Sequence, residues 1–212
     1  MRGIASSREE AVRGFTLRNS WGQRMTEFRR LAIPEVIEVV PPKFGDHRGF
    51  FSEVYKQSAF EGAGLSIEWV QDNQSFSAER GTVRGLHFQA PPFAQAKLVR
   101  VLRGAIYDVA VDIRAGSPTY GQWVGVELSS EKWNQLFVPV GFAHCFMTLT
   151  PDVEVFYKVS APYSRESEGA IRWNDPDLAI AWPDAGNAVL SDKDAAAPLF
   201  RDFVSPFSYE AQ

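Results

Sequence analysis

From Ile33 onward the chain is written as short β-branched or aromatic runs broken at close intervals by glycine, proline, aspartate or asparagine. This punctuation constrains the fold more than any other feature. Runs such as PEVIEVV, GFFSEVY, SIEWVQDNQS, KLVRVLRG, AIYDVAVDI, QWVGVEL, QLFVPV, HCFMTLT and VEVFYKVS have the length and composition of strands. GDHRG, AGSPTYG and LSSEKWN lie between them and carry turn residues. Sustained apolar spacing at the helical period is scarce, so helix is expected only around SAFEGAG and in the C-terminal segment beyond LSDKD. So many short strands in one chain point to an all-β sandwich or barrel.

A chain of 212 residues, 45% of them hydrophobic and 13% aromatic, can bury one substantial core without splitting. No internal repeat or low-complexity linker marks a boundary, and residues 25–212 are expected to form a single domain. Residues 1–24 are rich in arginine and polar side chains and lack core periodicity, so they are expected to be a flexible extension. Glu9 and Glu10 within them argue against an organelle-targeting peptide. A net charge of -4 supplies no general attraction to nucleic acid or to an anionic membrane, and neither is expected as a partner. No apolar run reaches bilayer-spanning length and the N-terminus has no apolar signal core, so a cytoplasmic protein is expected. The single cysteine, Cys145, rules out an intrachain disulfide and multi-cysteine metal motifs, and it reads as a small buried hydrophobe.

Strand alternation sorts the side chains further. In VEVFYKVS, Tyr157 shares a face with Val153, Val155 and Val159 and therefore points inward. By the same count Lys97 shares a face with Val99 and Val101, where a lysine is excluded unless a partner or ligand stabilises it. In VRGLHFQ, Arg84 and His87 fall on opposite faces of a regular strand, and a turn beginning inside the run would change that. Their parity stays open.

The chain has three histidines, His47, His87 and His144. PVGFAH, ending at His144, has the spacing of the second half of a cupin metal motif, whereas the first half needs two histidines one residue apart and LHFQ supplies only His87. Two imidazoles are too few for an ordinary three- or four-ligand site without carboxylate help, so no metal is expected. A dry β-barrel pocket lined by His87, Lys97, His144 and Tyr157 could instead abstract a proton beside a carbonyl. Histidine accepts the proton, lysine stabilises the oxyanion, and tyrosine returns a proton. A base and an acid on opposite sides would invert the carbon. Taken singly each residue has a plainer explanation: a satisfied structural histidine, a packed tyrosine, surface ion pairs for Arg48 and Arg84, an ordinary turn at GDHRG, or a helix cap at Asp194.

Taken together, FGDHRGFFSEVY, QDNQSFS, VRGLHFQAPPFAQAKLVRVLRG, IYDVAVDIRAGSPTYGQWVGVELS, FVPVGFAHCFMTLT, VFYKVSAPYS, IRWNDPDLAIAWP and LSDKD closely resemble the dTDP-4-dehydrorhamnose 3,5-epimerases. The resemblance runs with few gaps from about Glu35 to Asp194. It implies a metal-free, cofactor-free cupin jelly roll, a homodimer, and a dTDP-linked 4-keto-6-deoxyhexose as substrate. Carried over by position, it implies that His87 is the base, with Asp194 completing a His–Asp dyad. Lys97 stabilises the enolate oxygen, His144 helps hold the sugar, and Tyr157 donates the proton on the opposite face. Arg84 would contact the diphosphate. Arg48, Glu53, Gln71, Asn73, Glu168 and Lys193 match nucleotide-binding positions, and Tyr163 matches the aromatic that stacks on thymine. Phe50, in the segment RGFFSE, would pack near the partner subunit's nucleotide. The chain departs from the family in its extra N-terminal residues and at Gly169, which replaces a common arginine. Neither departure touches the implied acid or base.

Overall fold

The computed structural model describes residues 25–210, and the expectation of a flexible extension over residues 1–24 lies outside the described residues. The strands run in chain order as β1 (Glu27–Arg30), β2 (Ile37–Val40), β3 (Phe44–Asp46), β4 (Gly49–Phe51), β5 (Gln71–Ser77), β6 (Val83–Gln89), β7 (Lys97–Arg103), β8 (Ala105–Asp112), β9 (Trp123–Ser129), β10 (Gln135–Val138), β11 (Phe142–Thr148), β12 (Val153–Val159) and β13 (Glu168–Ala170). Two short helices, α1 (Gln57–Gly62) and α2 (Asp192–Ala195), lie where SAFEGAG and LSDKD led us to expect helix.

The strands form a six-stranded sheet, β1-β2-β10-β7-β12-β5, and a five-stranded sheet, β13-β6-β11-β8-β9, with β3 and β4 as a separate hairpin. Every named pairing is antiparallel. Period-2 alternation puts Val99, Val101, Val153 and Val155 of the first sheet against Ile106, Ala110, Leu128 and Phe146 of the second, forming the central core. The all-β sandwich read from the sequence is therefore the observed architecture.

Each sheet is also covered on its outer face, which alternation alone does not reveal. Phe60 of α1, with Phe28, Tyr55, Ile67 and Trp69, packs over Ile37, Val39, Leu98 and Phe137. Across the molecule Ile171, Trp173, Leu178, Ile180, Phe203 and Phe207 of the C-terminal segment pack over Val83, Val109, Val111, Cys145 and Met147. Strands β8 and β11 are consequently buried along almost their whole length, which explains their continuous apolar runs. No helix of the described residues is long and apolar enough to cross a membrane.

The element boundaries differ from the sequence reading at a few places. Of SIEWVQDNQS only the part from Gln71 enters a strand. The preceding Ile67 and Trp69 instead turn onto the outer apolar layer. GFFSEVY ends its strand at Phe51, and EFRR and EGA form the short strands β1 and β13 that the pattern did not mark. Strands this short have too few alternations to stand out and exist because an edge is available for pairing: β1 on β2, and β13 on β6.

Candidate active site

Gly85 decides where Arg84 and His87 point. Opposite β11, His87 pairs with His144 while Arg84 pairs with Phe146, so three residue steps on β6 span two on β11. The extra residue is a bulge, and it returns Arg84 and His87 to one face. Gly85 has φ +131°, and a Cβ there would lie 2.5 Å from the His144 carbonyl oxygen and 2.6 Å from Cys145 Cα, so only glycine permits this approach. Arg84 and His87 line one cavity of about 410 Å³ together with Lys97, His144, Tyr157, Lys193 and Asp194. An adjoining cavity of about 350 Å³ shares His87, Lys97 and Tyr157 and adds Gln71, Asn73, Tyr163 and Glu168.

The walls come from facing sheets. His87 on β6 and His144 on β11 belong to the five-stranded sheet, whereas Lys97 on β7 and Tyr157 on β12 belong to the six-stranded one. Tyr157 pairs with Val99 on one side and Asn73 on the other, and it packs against the central core as its parity requires.

His87 Nε2 lies 2.5 Å from Asp194 Oδ1. Asp194 belongs to α2, whose N-cap is Ser191: the Ser191 hydroxyl oxygen accepts from the Asp194 N–H and donates to Asp194 Oδ2 at 3.0 Å. Asp194 is thus not itself the cap, and its other oxygen is free to hold the histidine. Burial works to raise the Asp194 carboxyl, but the hydrogen bond and charge of His87, then Ser191 and Lys193, hold it below its ordinary value. A second pair is built the same way, with His144 Nε2 2.5 Å from Oδ1 of the fully buried Asp108 on β8. Asp108 was not among the residues marked in the sequence. The signal was present, since an aspartate in the apolar run IYDVAVD needs a buried partner.

Burial pushes the Lys97 ammonium down from 10.5 to about 8, with Asp108 the foremost of the acidic groups opposing that change. Lys97 thus remains mostly charged at neutral pH, where it lines both cavities. Burial raises the Tyr157 phenol, with Arg84 acting against it, so the hydroxyl keeps its proton. Arg84 is held by two local bonds, Nε donating to Ser77 Oγ at 3.2 Å and Nη2 to the Phe76 carbonyl at 3.0 Å.

The adjoining cavity carries a connected polar chain. Lys193 Nζ meets Glu168 Oε1 at 2.5 Å, the Tyr163 hydroxyl donates to Glu168 Oε2, the Tyr163 N–H donates to Gln71 Oε1, and Gln71 Nε2 donates to Asn73 Oδ1 at 2.8 Å. Gln89 anchors this loop, donating to the Phe93 and Pro162 carbonyls and accepting from the Ser164 N–H. Its role was also missed in the sequence, because a buried glutamine bonding to backbone has no spacing signature. Tyr163 stays 59% exposed, which leaves its ring accessible for stacking. At Gly169 a Cβ would meet the Phe88 ring at 2.2 Å, so a larger residue there would require that ring to shift.

Three implied residues line neither cavity. Arg48 pairs with Asp46 in the turn of the β3–β4 hairpin, Phe50 stands edge-on to Trp133 with Lys43 over its ring, and Glu53 lies 3.9 Å from Lys56. Phe50 and Phe51 are 54% and 66% exposed. Among the described residues no three His, Cys, Asp or Glu side chains converge in a metal-binding arrangement. Chemically the cavity offers an oriented imidazole on one wall and a protonated phenol with an ammonium on the facing wall, a set suited to moving protons beside a carbonyl.

The family model described as dTDP-4-dehydrorhamnose 3,5-epimerase matches residues 30–202. The chain is similar to a dTDP-4-dehydrorhamnose 3,5-epimerase of Sinorhizobium fredii, at 53% identity over 182 residues covering 86% of this chain and 93% of the relative. Among solved structures it resembles dTDP-6-deoxy-D-glucose-3,5-epimerase from Legionella pneumophila in complex with dTDP-4-keto-L-rhamnose. The identity there is 44%, the TM-score 0.83, and the coverage 88% of this chain and 100% of that one. It also resembles dTDP-4-dehydrorhamnose 3,5-epimerase from Bacillus anthracis with TDP and PPi bound, at 48% identity and a TM-score of 0.80, covering 82% and 99% of the two chains.

Proposed function

The chain belongs to the dTDP-4-dehydrorhamnose 3,5-epimerase family, and from that premise we propose that it is an isomerase inverting carbons 3 and 5 of dTDP-4-dehydro-6-deoxy-D-glucose. The product is dTDP-4-dehydro-L-rhamnose, and the setting is dTDP-L-rhamnose biosynthesis in the cytoplasm. The observation that carries the reading is the opposition of His87 and Tyr157 on facing sheets, with Lys97 on the strand next to Tyr157 and lining the same cavity.

His87, oriented by Asp194, removes the proton from the carbon beside the 4-keto group. The electron pair moves onto the carbonyl oxygen, and the Lys97 ammonium stabilises the enolate that forms. Tyr157 then gives its proton to the opposite face of the carbon, which inverts it. Solvent restores the phenol and takes the proton from His87. His144 holds the sugar in this position. Arg84 binds the diphosphate, for which its planar guanidinium is suited. Tyr163 stacks on thymine, while Gln71, Asn73, Glu168 and Lys193 supply polar contacts to the nucleotide. The reaction conserves oxidation state overall, and the reading assigns it no redox cofactor or metal.

The exposed hairpin supports the further reading that the protein works as a homodimer. Arg48, Phe50 and Glu53 lie outside their own chain's cavities, and in this reading they complete the site of the partner subunit, with Phe50 against its nucleotide.

Incubation with dTDP-4-keto-6-deoxyglucose in deuterated water tests the proposal. Deuterium is expected at both carbons 3 and 5. Deuterium at one carbon only would reassign the chain as a monoepimerase, and none at either would leave it a binder of nucleotide sugars without the chemistry.

A further inference from the structure

Asp108 is a buried carboxylate to which the proposed reaction gives no role of its own. It is wholly inaccessible to solvent, it interrupts an apolar strand, and its Oδ2 is buried without any hydrogen-bond partner. A carboxylate so placed is retained only if something it contacts requires it. Its one bond is Oδ1 to His144 Nε2, at 2.5 Å. His144 lines the cavity and stands directly opposite His87 across β11 and β6. The other ring nitrogen of His144, Nδ1, makes no bond within the described residues.

A carboxylate only accepts, so the hydrogen bond sets the proton on Nε2 of the ring and leaves the lone pair on Nδ1. We infer that Asp108 is a positioning residue that fixes this tautomer of His144, so that Nδ1 accepts a hydrogen bond from a hydroxyl of the bound hexose. The second imidazole–carboxylate pair thus reads the sugar, while the first, His87–Asp194, handles the proton. The division follows from surroundings: Asp194 is carried by the short helix α2 and held by its N-cap Ser191, whereas Asp108 sits in the middle of a strand with both flanking strands paired.

The inference rests on the proposed function, and its test separates the two. The full chain labelled with ¹⁵N-histidine is studied by two-bond ¹⁵N–¹H correlation, with a His144→Gln variant to assign the signals. The wild-type His144 ring should carry its proton on Nε2, and its Nδ1 signal should move on adding dTDP-glucose but not on adding dTDP. A ring protonated on Nδ1, or an Nδ1 signal indifferent to dTDP-glucose, would overturn the inference. Asp108→Asn, which keeps the shape of the buried side chain, should lose the single tautomer. It should weaken dTDP-glucose binding about three- to tenfold, the loss of one hydrogen bond, while leaving dTDP binding unchanged. Equal affinities for dTDP-glucose in variant and wild type would also overturn it. A wild-type chain that binds neither ligand contradicts the proposed function instead, and the tautomer of the free protein is read without any ligand.

Discussion

Replacing Lys97 with methionine should make the protein more stable and inactive. Lys97 opens β7 on the same inward face as Val99 and Val101, and burial there takes its ammonium from 10.5 down to about 8. That displacement corresponds to about 3 kcal/mol of folding free energy lost by keeping the charge, after the attraction to Asp108 has offset part of the desolvation. Residual solvent contact reduces the figure, and Lys97→Met, similar in length and uncharged, should recover about 1–3 kcal/mol. The pH dependence identifies the cause. Between pH 8 and 10.5 the unfolded chain holds a proton that the folded chain has lost, so wild-type stability rises with pH across this window. The advantage of the variant is therefore full below about pH 8 and shrinks toward pH 10.5. Urea unfolding of both proteins at equal concentration, at pH 7, 8.5 and 10, measures it. A variant no more stable than wild type at pH 7, or an advantage that does not narrow by pH 10, would refute the reasoning. Deuterium incorporation should be abolished in the variant. In the wild type kcat/KM should fall above about pH 8, because only the ammonium stabilises an enolate and the Tyr157 phenol, raised by burial, titrates later.

Three further outcomes follow from the site. His87→Ala should abolish exchange at both carbons, whereas Tyr157→Phe should still release the substrate proton to solvent but slow completed inversion; equal loss of both processes in the two variants would contradict separate base and acid roles. Asp194→Asn should leave the fold intact by circular dichroism yet lower kcat by about 10²- to 10⁴-fold, because an amide no longer specifies the His87 tautomer. Gly85→Ala should cost about 2–5 kcal/mol in urea unfolding, since it combines a positive φ with a Cβ driven into the backbone of His144 and Cys145. Its residual folded fraction should also bind dTDP-glucose poorly in calorimetry, because the bulge that aligns Arg84 with His87 is lost.

Tyr157 shows how much of the site can be read from a sequence. Its alternation with Val153, Val155 and Val159 needs no tertiary information, because a strand exposes alternate residues to opposite faces whatever it packs against. Lys97 was legible for the same reason, as a charge on an apolar face. Arg84 and His87 were not, since a one-residue bulge reverses parity, and a glycine in a strand marks such a bulge without locating it. The role of Asp194 was open between cap and dyad until Ser191 proved to be the cap. Asp108 was legible as a charge in an apolar run, but its partner His144 was not, and Gln89 left no signal because its bonds to the Pro162 loop join residues far apart in the chain.

The sequence by itself determined the local terms: strand and turn propensities, the all-β class, the inward faces of β7 and β12, and the eight blocks that carry the family resemblance. Only the tertiary structure decided which sheet edges found partners, which outer faces were covered by α1 and by the C-terminal segment, and which carboxylate each histidine met. Those outcomes depend on pairing and packing between residues distant along the chain. Local chemistry limits such choices, and the free energy of burying the whole surface selects among them.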